Sequence, residues 1–156
     1  MNIRYVKGDT TAPIGEGNKI IVHVCNDVGG WGRGFVLALS NKWKKPEQEY
    51  RLWAKSGNNF SLGHVQFVQV ESSIWVANLI GQRDTKRDRE GNPPVRYDAI
   101  KKGLAAVSVY AKEINATVHM PRIGCGLAGG TRDKIEPCIT ETLSNSGIEA
   151  VVYDFE

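Results

Sequence analysis

The sequence predicts an α/β protein, a three-layer α/β/α sandwich built around a mixed, mostly parallel six-stranded sheet. Two observations predict this class. Six short apolar runs have the length of strands, and most have the composition of strands buried on both faces. Several of these runs are separated by segments in which apolar residues recur at steps of three and four, the spacing of an amphipathic helix. Strands that alternate with helices are typical of parallel sheets joined by right-handed crossovers.

Each element follows from its own pattern. Strands are predicted at residues 3–6, 20–24, 65–70, 74–79, 117–120 and 148–153. Helices are predicted at residues 35–43, 46–54, 96–113 and 135–143. Pro46 suits the first turn of the second helix, because its fixed φ is already helical. The apolar stripe is clearest in the third helix, where it consists of Tyr97, Ile100, Leu104, Val107 and Ala111.

Length and composition favour one domain over residues 1–156, with a molecular mass of 17.2 kDa and 41% hydrophobic residues. We expect a cytoplasmic protein without a membrane partner, since no apolar run approaches the ~20 residues of a membrane-spanning helix and the first residues do not resemble a secretory signal. Three cysteines without CxxC spacing argue against a disulfide framework and a zinc site, so no metal or cofactor is expected. The net charge of +3 is compatible with an anionic partner but does not demand nucleic acid.

Two glycine-rich loops each connect a buried predicted strand to a predicted helix. The first, NDVGGWGRG, spans residues 26–34, and the second, IGCGLAGG, spans residues 123–130. Glycine lets a backbone approach a ligand and turn its amides toward phosphate, while the next helix N-terminus adds partial positive charge. Because ligands bind at the carboxyl ends of parallel strands, both loops are expected to grip one diphosphate. The alternative is that these glycines only make tight turns.

GCGLAG also fits the dinucleotide-binding pattern GxGxxG, with Asp154 at the end of the next predicted strand. That pattern belongs to the first βαβ unit of a Rossmann domain, whereas here only two residues follow Asp154. A nicotinamide-binding half would have no residues to form it. We therefore rank the Rossmann interpretation below the diphosphate cradle.

Four segments, taken together, resemble the macro domain family, whose members bind ADP-ribose. They are NIRYVKGD, IIVHVCNDVGGWGRGFVLAL, PRIGCGLAGG and VVYDF. The resemblance runs from end to end, in matching order and spacing. It is closest to the branch that contains the yeast ADP-ribose 1''-phosphate phosphatase and the human terminal ADP-ribose glutamate hydrolase. The resemblance implies a macro domain-like fold and ADP-ribose, or a derivative of it, as the ligand.

The resemblance also implies roles for individual residues. Asp9 would accept a hydrogen bond from the adenine amino group, beside the backbone of Thr10, and Phe155 would pack on the adenine. Asn26 would contact the distal ribose. The residues expected to wrap that ribose are Gly30, Trp31, Gly32, Arg33, Gly34 and Phe35. The residues expected to hold the diphosphate are Ile123, Gly124, Cys125, Gly126, Leu127 and Ala128.

For three of these residues, a role in the fold is the alternative to the role in ligand binding. Asp9 lies in GDTT, which is also a capping sequence for a turn or a helix. Phe155 is equally suited to covering the core as a tail residue. Trp31 stands among glycines, so we interpret it as a wall of the ribose site and a poor candidate for the core.

Candidate catalytic residues come from VHVCN, which is similar to a histidine-containing segment of the phosphatase branch. His23 could act as acid or base, with Asp27 orienting it or serving as base, and with Asn26 positioning the ribose. Such a set would hydrolyse ADP-ribose 1''-phosphate to ADP-ribose. The alternative is that His23, inside an apolar strand, is a core residue with satisfied hydrogen bonds. Cys25 and Cys125 are nucleophile candidates only in name, because neither has an evident base.

The chain departs from two hydrolase branches of the family. The glutamate hydrolases use a lysine after the fourth strand and an aspartate directly after GCGL. Here those places hold Gln82 or Arg83 and Ala128, so a Schiff-base-type intermediate cannot form there. The other branch places an acidic residue after its first glycine run, where this chain has Arg33, Gly34 and Phe35.

Three functions therefore stay open besides the phosphatase. One is a reader that binds free or protein-attached ADP-ribose without chemistry, which Ala128 and the missing lysine favour. Another is an ADP-ribosyl hydrolase that removes ADP-ribose from protein or nucleic acid with a different residue set. The third is nucleic-acid binding by the charged segment QRDTKRDREGNPP at residues 82–94. We interpret that segment as a solvated loop, the alternative being a lid that brings Arg83 or Lys86 to a ligand phosphate.

Overall fold

The computed structural model describes residues 3–155, except the side chain of Leu127. Its strands are, in chain order, β1 (Arg4–Lys7), β2 (Asn18–Asn26), β3 (Val65–Glu71), β4 (Ile74–Gln82), β5 (Ala116–Met120) and β6 (Ala150–Asp154). Its helices are α1 (Phe35–Lys42), α2 (Lys45–Ser56), α3 (Tyr97–Ile114) and α4 (Arg132–Thr142). The described part of the chain contains no helix that is long and apolar enough to cross a membrane.

The six strands form one sheet in the order β1-β6-β5-β2-β4-β3. Neighbours pair in parallel except β3, which pairs antiparallel with β4 at one edge. Only Ser72 and Ser73 separate β3 from β4, too few residues for a crossover, so the two strands form a hairpin. The prediction of a mixed, mostly parallel sheet is confirmed. Since β2 and β5 are parallel neighbours, the two loops that follow them start at the same edge.

Helices cover both faces of the sheet. The alternation of β2 shows the division: Ile20 and Val22 belong to a core under α3 and α4, and Ile21 and Cys25 belong to a core under α1 and α2. Adjacent side chains of a strand point to opposite faces, and both faces of β2 are apolar because both are covered. The predicted three-layer α/β/α sandwich is confirmed.

The ends of several elements differ from their predicted positions. β2 and β4 are nine residues long each and extend into polar residues such as Asn18 and Gln82. Their backbone pairing continues regardless of side-chain polarity, which the apolar pattern does not register. Helix α4 begins at Arg132 rather than at residue 135. It contains Pro137 at its middle, and because proline has no backbone N–H, one hydrogen bond of the helix is lost there.

Candidate ligand-binding cleft

A cleft of about 700 Å³ opens at the carboxyl edge of the sheet, and both glycine loops line it. Its volume lies within the usual range for small-molecule sites, roughly 300 to 1,000 Å³. The predicted site residues that line it are Asp9, Thr10, His23, Arg33, Gly34, Phe35, Ile123, Gly124, Cys125, Gly126, Ala128 and Phe155. The two loops therefore face one shared space. The side chain of Leu127 lies outside the part of the chain that the structure describes.

Asp9, Thr10 and Phe155 all line the cleft, and the pairing of Lys7 with Asp154 brings together the two segments that carry them. The Asp9 carboxylate accepts hydrogen bonds from the Thr11 backbone N–H at 2.9 Å and the Thr11 hydroxyl at 2.7 Å, both at Oδ1. Asp9 thus caps a turn, as the GDTT alternative predicts, while its side chain remains exposed to the cleft. Phe155 is 81% exposed, so the alternative that it covers the core is wrong.

The first glycine loop is shaped by Asn26 at the end of β2. Its side-chain oxygen accepts from the backbone N–H groups of Val28 at 3.0 Å and Gly30 at 2.9 Å, and its Nδ2 donates to the Gly30 carbonyl at 2.9 Å. The Tyr50 hydroxyl donates to the Asn26 carbonyl at 2.7 Å and lies 3.0 Å from Oδ1. Asn26 is buried beneath the loop and does not line the cleft. Its contact with a ribose stays a prediction.

Trp31 is part of the core under α1 and α2. It is only 6% exposed, packs against Tyr50 with ring centroids 5.2 Å apart, and donates its indole N–H to Ser40 Oγ at 2.8 Å. The prediction that Trp31 is a poor candidate for the core is wrong. The indole turns inward because its N–H finds a buried partner nine residues along the chain. Trp31 does not line the cleft, and neither do Gly30 and Gly32.

The second loop is closed on itself. The Gly130 backbone N–H donates to the Gly124 carbonyl at 2.7 Å, and a 3-10 turn at Gly126–Ala128 lies between them. A Cβ atom on Gly130 would stand 2.2 Å from the Gly124 oxygen, so no other residue fits there. Gly126, in contrast, has a φ of 64° and nothing within 4 Å of an added Cβ, because it faces open space at the cleft.

Several backbone amides at the cleft are free to bind an anion. Within residues 3–155, the N–H groups of Arg33, Gly34, Gly124 and Gly126 donate to no protein acceptor. Gly34 is also the N-cap of α1, and no side chain caps that helix end. Uncapped amides at a helix start and in glycine turns are a favourable environment for phosphate oxygens. An anion in the cleft would therefore meet four backbone N–H groups that have no protein acceptor among the described residues.

His23 lies on the floor of the cleft and is 2% exposed. Its Nε2 is 2.5 Å from Asn78 Oδ1, and Asn78 Nδ2 donates to Gln66 Oε1 at 3.0 Å. The Asn78 oxygen thus faces His23, which fixes the imidazole proton on Nε2 and leaves Nδ1 as an acceptor. Burial lowers the pKa of His23 to about 4. At neutral pH the ring is uncharged.

Asp27, the predicted partner of His23, has a different neighbour. Its Oδ1 accepts from the Asp84 backbone N–H at 2.7 Å, which ties the first glycine loop to the segment after β4. Asp27 does not line the cleft. The structure therefore does not bring the two candidate proton carriers together.

Burial raises the pKa of the Cys25 and Cys125 thiols, so both stay protonated near neutral pH and are poor nucleophiles.

The segment at residues 82–94 is folded back on itself beside the cleft. Asp88 Oδ1 accepts from the backbone N–H groups of Glu90 at 3.0 Å and Asn92 at 2.9 Å, and the Arg83 N–H donates to the Pro94 carbonyl at 2.8 Å. Gln82 lines the cleft, whereas Arg83 and Lys86 are exposed outside it. Of the two residues predicted at the place of the family lysine, only the uncharged Gln82 lines the cleft.

Eight residues of the cleft were not among the predicted site residues: Val24, Val36, Ala38, Gln82, Pro121, Arg122, Tyr153 and Asp154. Arg122 and Asp154 form a two-point ion pair, with Nε–Oδ1 at 2.7 Å and Nη2–Oδ2 at 2.8 Å. Arg122 holds the pKa of the Asp154 carboxyl below its usual range. Arg122 and Asp154 could have been predicted from the sequence, because both lie at the carboxyl ends of predicted strands.

The two buried histidines predict a pH-dependent stability. Burial lowers the pKa of His23 and of His119 to about 4, below the ordinary value of 6.5. The unfolded chain therefore binds more protons between these values, and stability falls as the pH drops from 6.5 toward 4. We expect a loss of about 2 kcal/mol for each histidine between pH 7 and pH 5. Urea unfolding at both pH values measures it.

The double variant His23→Gln, His119→Gln is the control for this prediction. Glutamine can still donate to Asn78 and to the partners of His119, Tyr153 and Thr117, but it does not titrate. Its free energy of unfolding should change little between pH 7 and pH 5. An equally steep pH dependence in the double variant would assign the effect to other groups.

Fold and cleft together define an α/β/α domain with one cleft that residues of two glycine loops line. No family model matches the chain. A macrodomain protein from Streptomyces coelicolor is 52% identical, with a TM-score of 0.87, and the match covers 98% of this chain and 99% of that one. The chain belongs to the macro domain family. The resemblance drawn from the sequence is confirmed.

Other relatives add detail. A Bacteroides thetaiotaomicron protein of unknown function is 56% identical, with a TM-score of 0.98 over 99% of this chain and 98% of that one. An ADP-ribose 1''-phosphate phosphatase from Candida albicans is 27% identical, and the match covers 89% of this chain and 92% of the phosphatase. Mouse chromodomain-helicase-DNA-binding protein 1-like is 32% identical over 99% of this chain, which spans only 18% of that protein.

A Thermosipho africanus DarTG protein, solved in complex with ADP-ribose, has the same fold. It is 18% identical, with a TM-score of 0.80, and the match covers 99% of this chain and 42% of that one. At this identity the likeness concerns the fold alone.

Proposed function

We propose that the chain binds ADP-ribose, or a close derivative of it, in the cleft at the carboxyl edge of the sheet. The observation that carries the proposal is that both glycine loops line one cleft, together with Asp9 and Phe155. A diphosphate between the loops would meet free amides, and an adenine beside Asp9 would meet an acceptor and an exposed aromatic ring. Because His23 on the cleft floor is neutral, it adds no positive charge beside the bound ligand.

Calorimetric titration with ADP-ribose, ADP and adenosine tests this proposal. We expect ADP-ribose to bind more tightly than ADP, and ADP more tightly than adenosine, because each ligand fills less of the cleft than the one before. No detectable heat with ADP-ribose at millimolar concentration would contradict the proposal. Equal affinities for ADP and adenosine would exclude the diphosphate from the glycine loops.

Hydrolysis of ADP-ribose 1''-phosphate to ADP-ribose is a second candidate function. His23 favours it, since it lies on the cleft floor and its unprotonated Nδ1 has only a long contact, 4.0 Å, with Cys25 Sγ. The Candida albicans phosphatase, which aligns along nearly its whole length, also supports it. In this scheme Nδ1 takes a proton from the water that attacks phosphorus, while Asn78 holds Nε2. The bond between phosphorus and the 1''-oxygen breaks, and the proton passes from Nδ1 to that oxygen, which releases inorganic phosphate and ADP-ribose. The low pKa of His23 makes it a weak base that stays active down to about pH 4.

Phosphate release from ADP-ribose 1''-phosphate measures this activity. We expect His23→Gln to lower kcat roughly 100-fold, the ordinary contribution of a positioned acid or base. His119→Gln is the matched control, because His119 is equally buried and does not line the cleft. Its kcat should stay within twofold of the wild type. Turnover that survives His23→Gln would remove His23 from the mechanism.

Two further outcomes separate the remaining functions. A chain that binds ADP-ribose but releases no phosphate, and that leaves ADP-ribosylated protein and nucleic acid intact, is a non-catalytic reader. Release of ADP-ribose from protein or nucleic acid would instead make it an ADP-ribosyl hydrolase. That hydrolase would work without the family lysine, because the sequence has Gln82 or Arg83 at that place and only Gln82 lines the cleft.

A further inference from the structure

The second glycine loop lies between two arginines that contact the same aromatic ring. Arg122 directly precedes the loop, and Arg132 begins helix α4 after it. The guanidinium carbon of Arg122 is 4.9 Å from the centroid of the Tyr5 ring, and that of Arg132 is 4.1 Å from it. Both distances are in the range of cation–π contacts. Tyr5 belongs to β1, an element that is distant in sequence from the loop.

Carboxylates hold both arginines in this arrangement. Arg122 is paired with Asp154 at two points, and Arg132 Nε is 2.7 Å from Glu136 Oε2. The Tyr5 hydroxyl donates to the same Glu136 oxygen. The ring therefore has a contact to each end of the loop and a hydrogen bond to α4.

The charges of these arginines are already matched by carboxylates. Asp154 and Glu136 neutralise them, so their effect on a ligand phosphate would come mainly from where they place the loop. Inside the loop, the Gly130 N–H to Gly124 carbonyl bond fixes its neck but leaves Gly126 at the open cleft. The direction in which this turn faces depends on how the two ends are anchored.

We propose that Tyr5 is a positioning residue for the diphosphate-binding loop, acting through Arg122 and Arg132. The ring holds both ends of residues 123–130 against β1, so that the amides of Gly124 and Gly126 face the cleft. This inference rests on the proposed binding of ADP-ribose and assigns a role to a residue that does not line the cleft. It predicts that loss of the ring weakens the binding of diphosphate but not of adenosine.

Titrations of Tyr5→Leu and Tyr5→Phe with ADP-ribose and adenosine test the proposal. Tyr5→Leu should weaken ADP-ribose binding roughly tenfold, since two cation–π contacts are lost, and should change adenosine binding less than twofold. Tyr5→Phe keeps the ring and loses only the hydroxyl, so it should bind ADP-ribose within about threefold of the wild type. The control is Tyr110→Leu, which removes the ring that stacks on Phe67 at 4.2 Å. It should leave both affinities unchanged.

Arg132→Gln provides a second route if Tyr5→Leu does not fold. The Arg132 side chain is 56% exposed, so the substitution disturbs no core. Arg132→Gln should weaken ADP-ribose binding about threefold, because one of the two cation–π contacts is lost. Amide hydrogen exchange of residues 124–130 in the ligand-free protein gives a readout independent of binding. We expect faster exchange in Tyr5→Leu and Arg132→Gln than in Tyr110→Leu.

The outcomes are distinguishable from failure of the proposed function. If the wild type does not bind ADP-ribose, that function falls, and the exchange rates alone decide whether Tyr5 positions the loop. If the wild type binds, equal losses for ADP-ribose and adenosine in Tyr5→Leu, or no loss for either, would overturn the inference. Unchanged exchange in the loop would overturn it as well.

Discussion

Replacing Gly126 by asparagine is expected to weaken ADP-ribose binding at least ~100-fold, about 2.7 kcal/mol. Gly126 has a φ of 64° and lies on the cleft wall with open space where a side chain would begin. Asparagine tolerates this left-handed backbone, so the fold should remain intact. Its side chain would occupy the space that we assign to the diphosphate. Calorimetric titration of the variant with ADP-ribose measures the effect.

Gly57→Asn is the matched control for this variant. Gly57 has a φ of 71°, also has nothing within 4 Å of an added Cβ, and caps the end of helix α2. The backbone strain of the two substitutions is therefore nearly the same, and only one of them enters the cleft. We expect similar melting temperatures for both variants and wild-type affinity in Gly57→Asn. If Gly126→Asn also kept wild-type affinity, the diphosphate would have to lie elsewhere.

Asp9→Ala should weaken ADP-ribose binding by roughly 1.5 to 3 kcal/mol, the range for a hydrogen bond to a charged acceptor. The Asp9 carboxylate lies on the cleft and uses Oδ1 for Thr11, which leaves Oδ2 for the adenine amino group. Titration of ADP-ribose measures the change. Thr11→Val is the control, because it removes the hydroxyl that bonds to Asp9 but leaves the carboxylate. An equal loss in Thr11→Val would show that the turn, not adenine recognition, sets the affinity.

A change of base sharpens the test of Asp9. Asp9→Asn places a donor where the carboxylate offered only acceptors, which suits the carbonyl oxygen of hypoxanthine better than the amino group of adenine. The variant should therefore prefer the hypoxanthine analogue of ADP-ribose, whereas the wild type should prefer ADP-ribose. The same preference in both proteins would place the base away from Asp9.

The fold could be predicted because burial leaves a periodic trace in the sequence. The stripe of α3 and the apolar run of β2 show which faces are covered, and the order of elements restricts the topology. The ends were missed where backbone pairing extends into polar residues, as at Asn18 and Gln82. The antiparallel pairing of β3 follows from the two-residue connection at Ser72 and Ser73, a local signal.

The candidate site was predictable where it depends on local order along the chain. Each glycine loop follows a buried strand, and parallel strands end at one edge, so a shared cleft follows. Contacts that depend on distant side chains were not predictable. Trp31 is buried because Tyr50 and Ser40 receive it, and Asp27 turns to Asp84, 57 residues away, rather than to His23. No sequence pattern marks such pairs.

The internal hydrogen bonds of Asn26 have a thermodynamic consequence. The amide and the Tyr50 hydroxyl hold the first glycine loop in its shape using only protein groups. The loop therefore loses most of its conformational entropy when the protein folds, and loses little more when a ligand binds. A ligand would therefore meet a loop that already has its bound shape, and less of the binding free energy would be spent on ordering it.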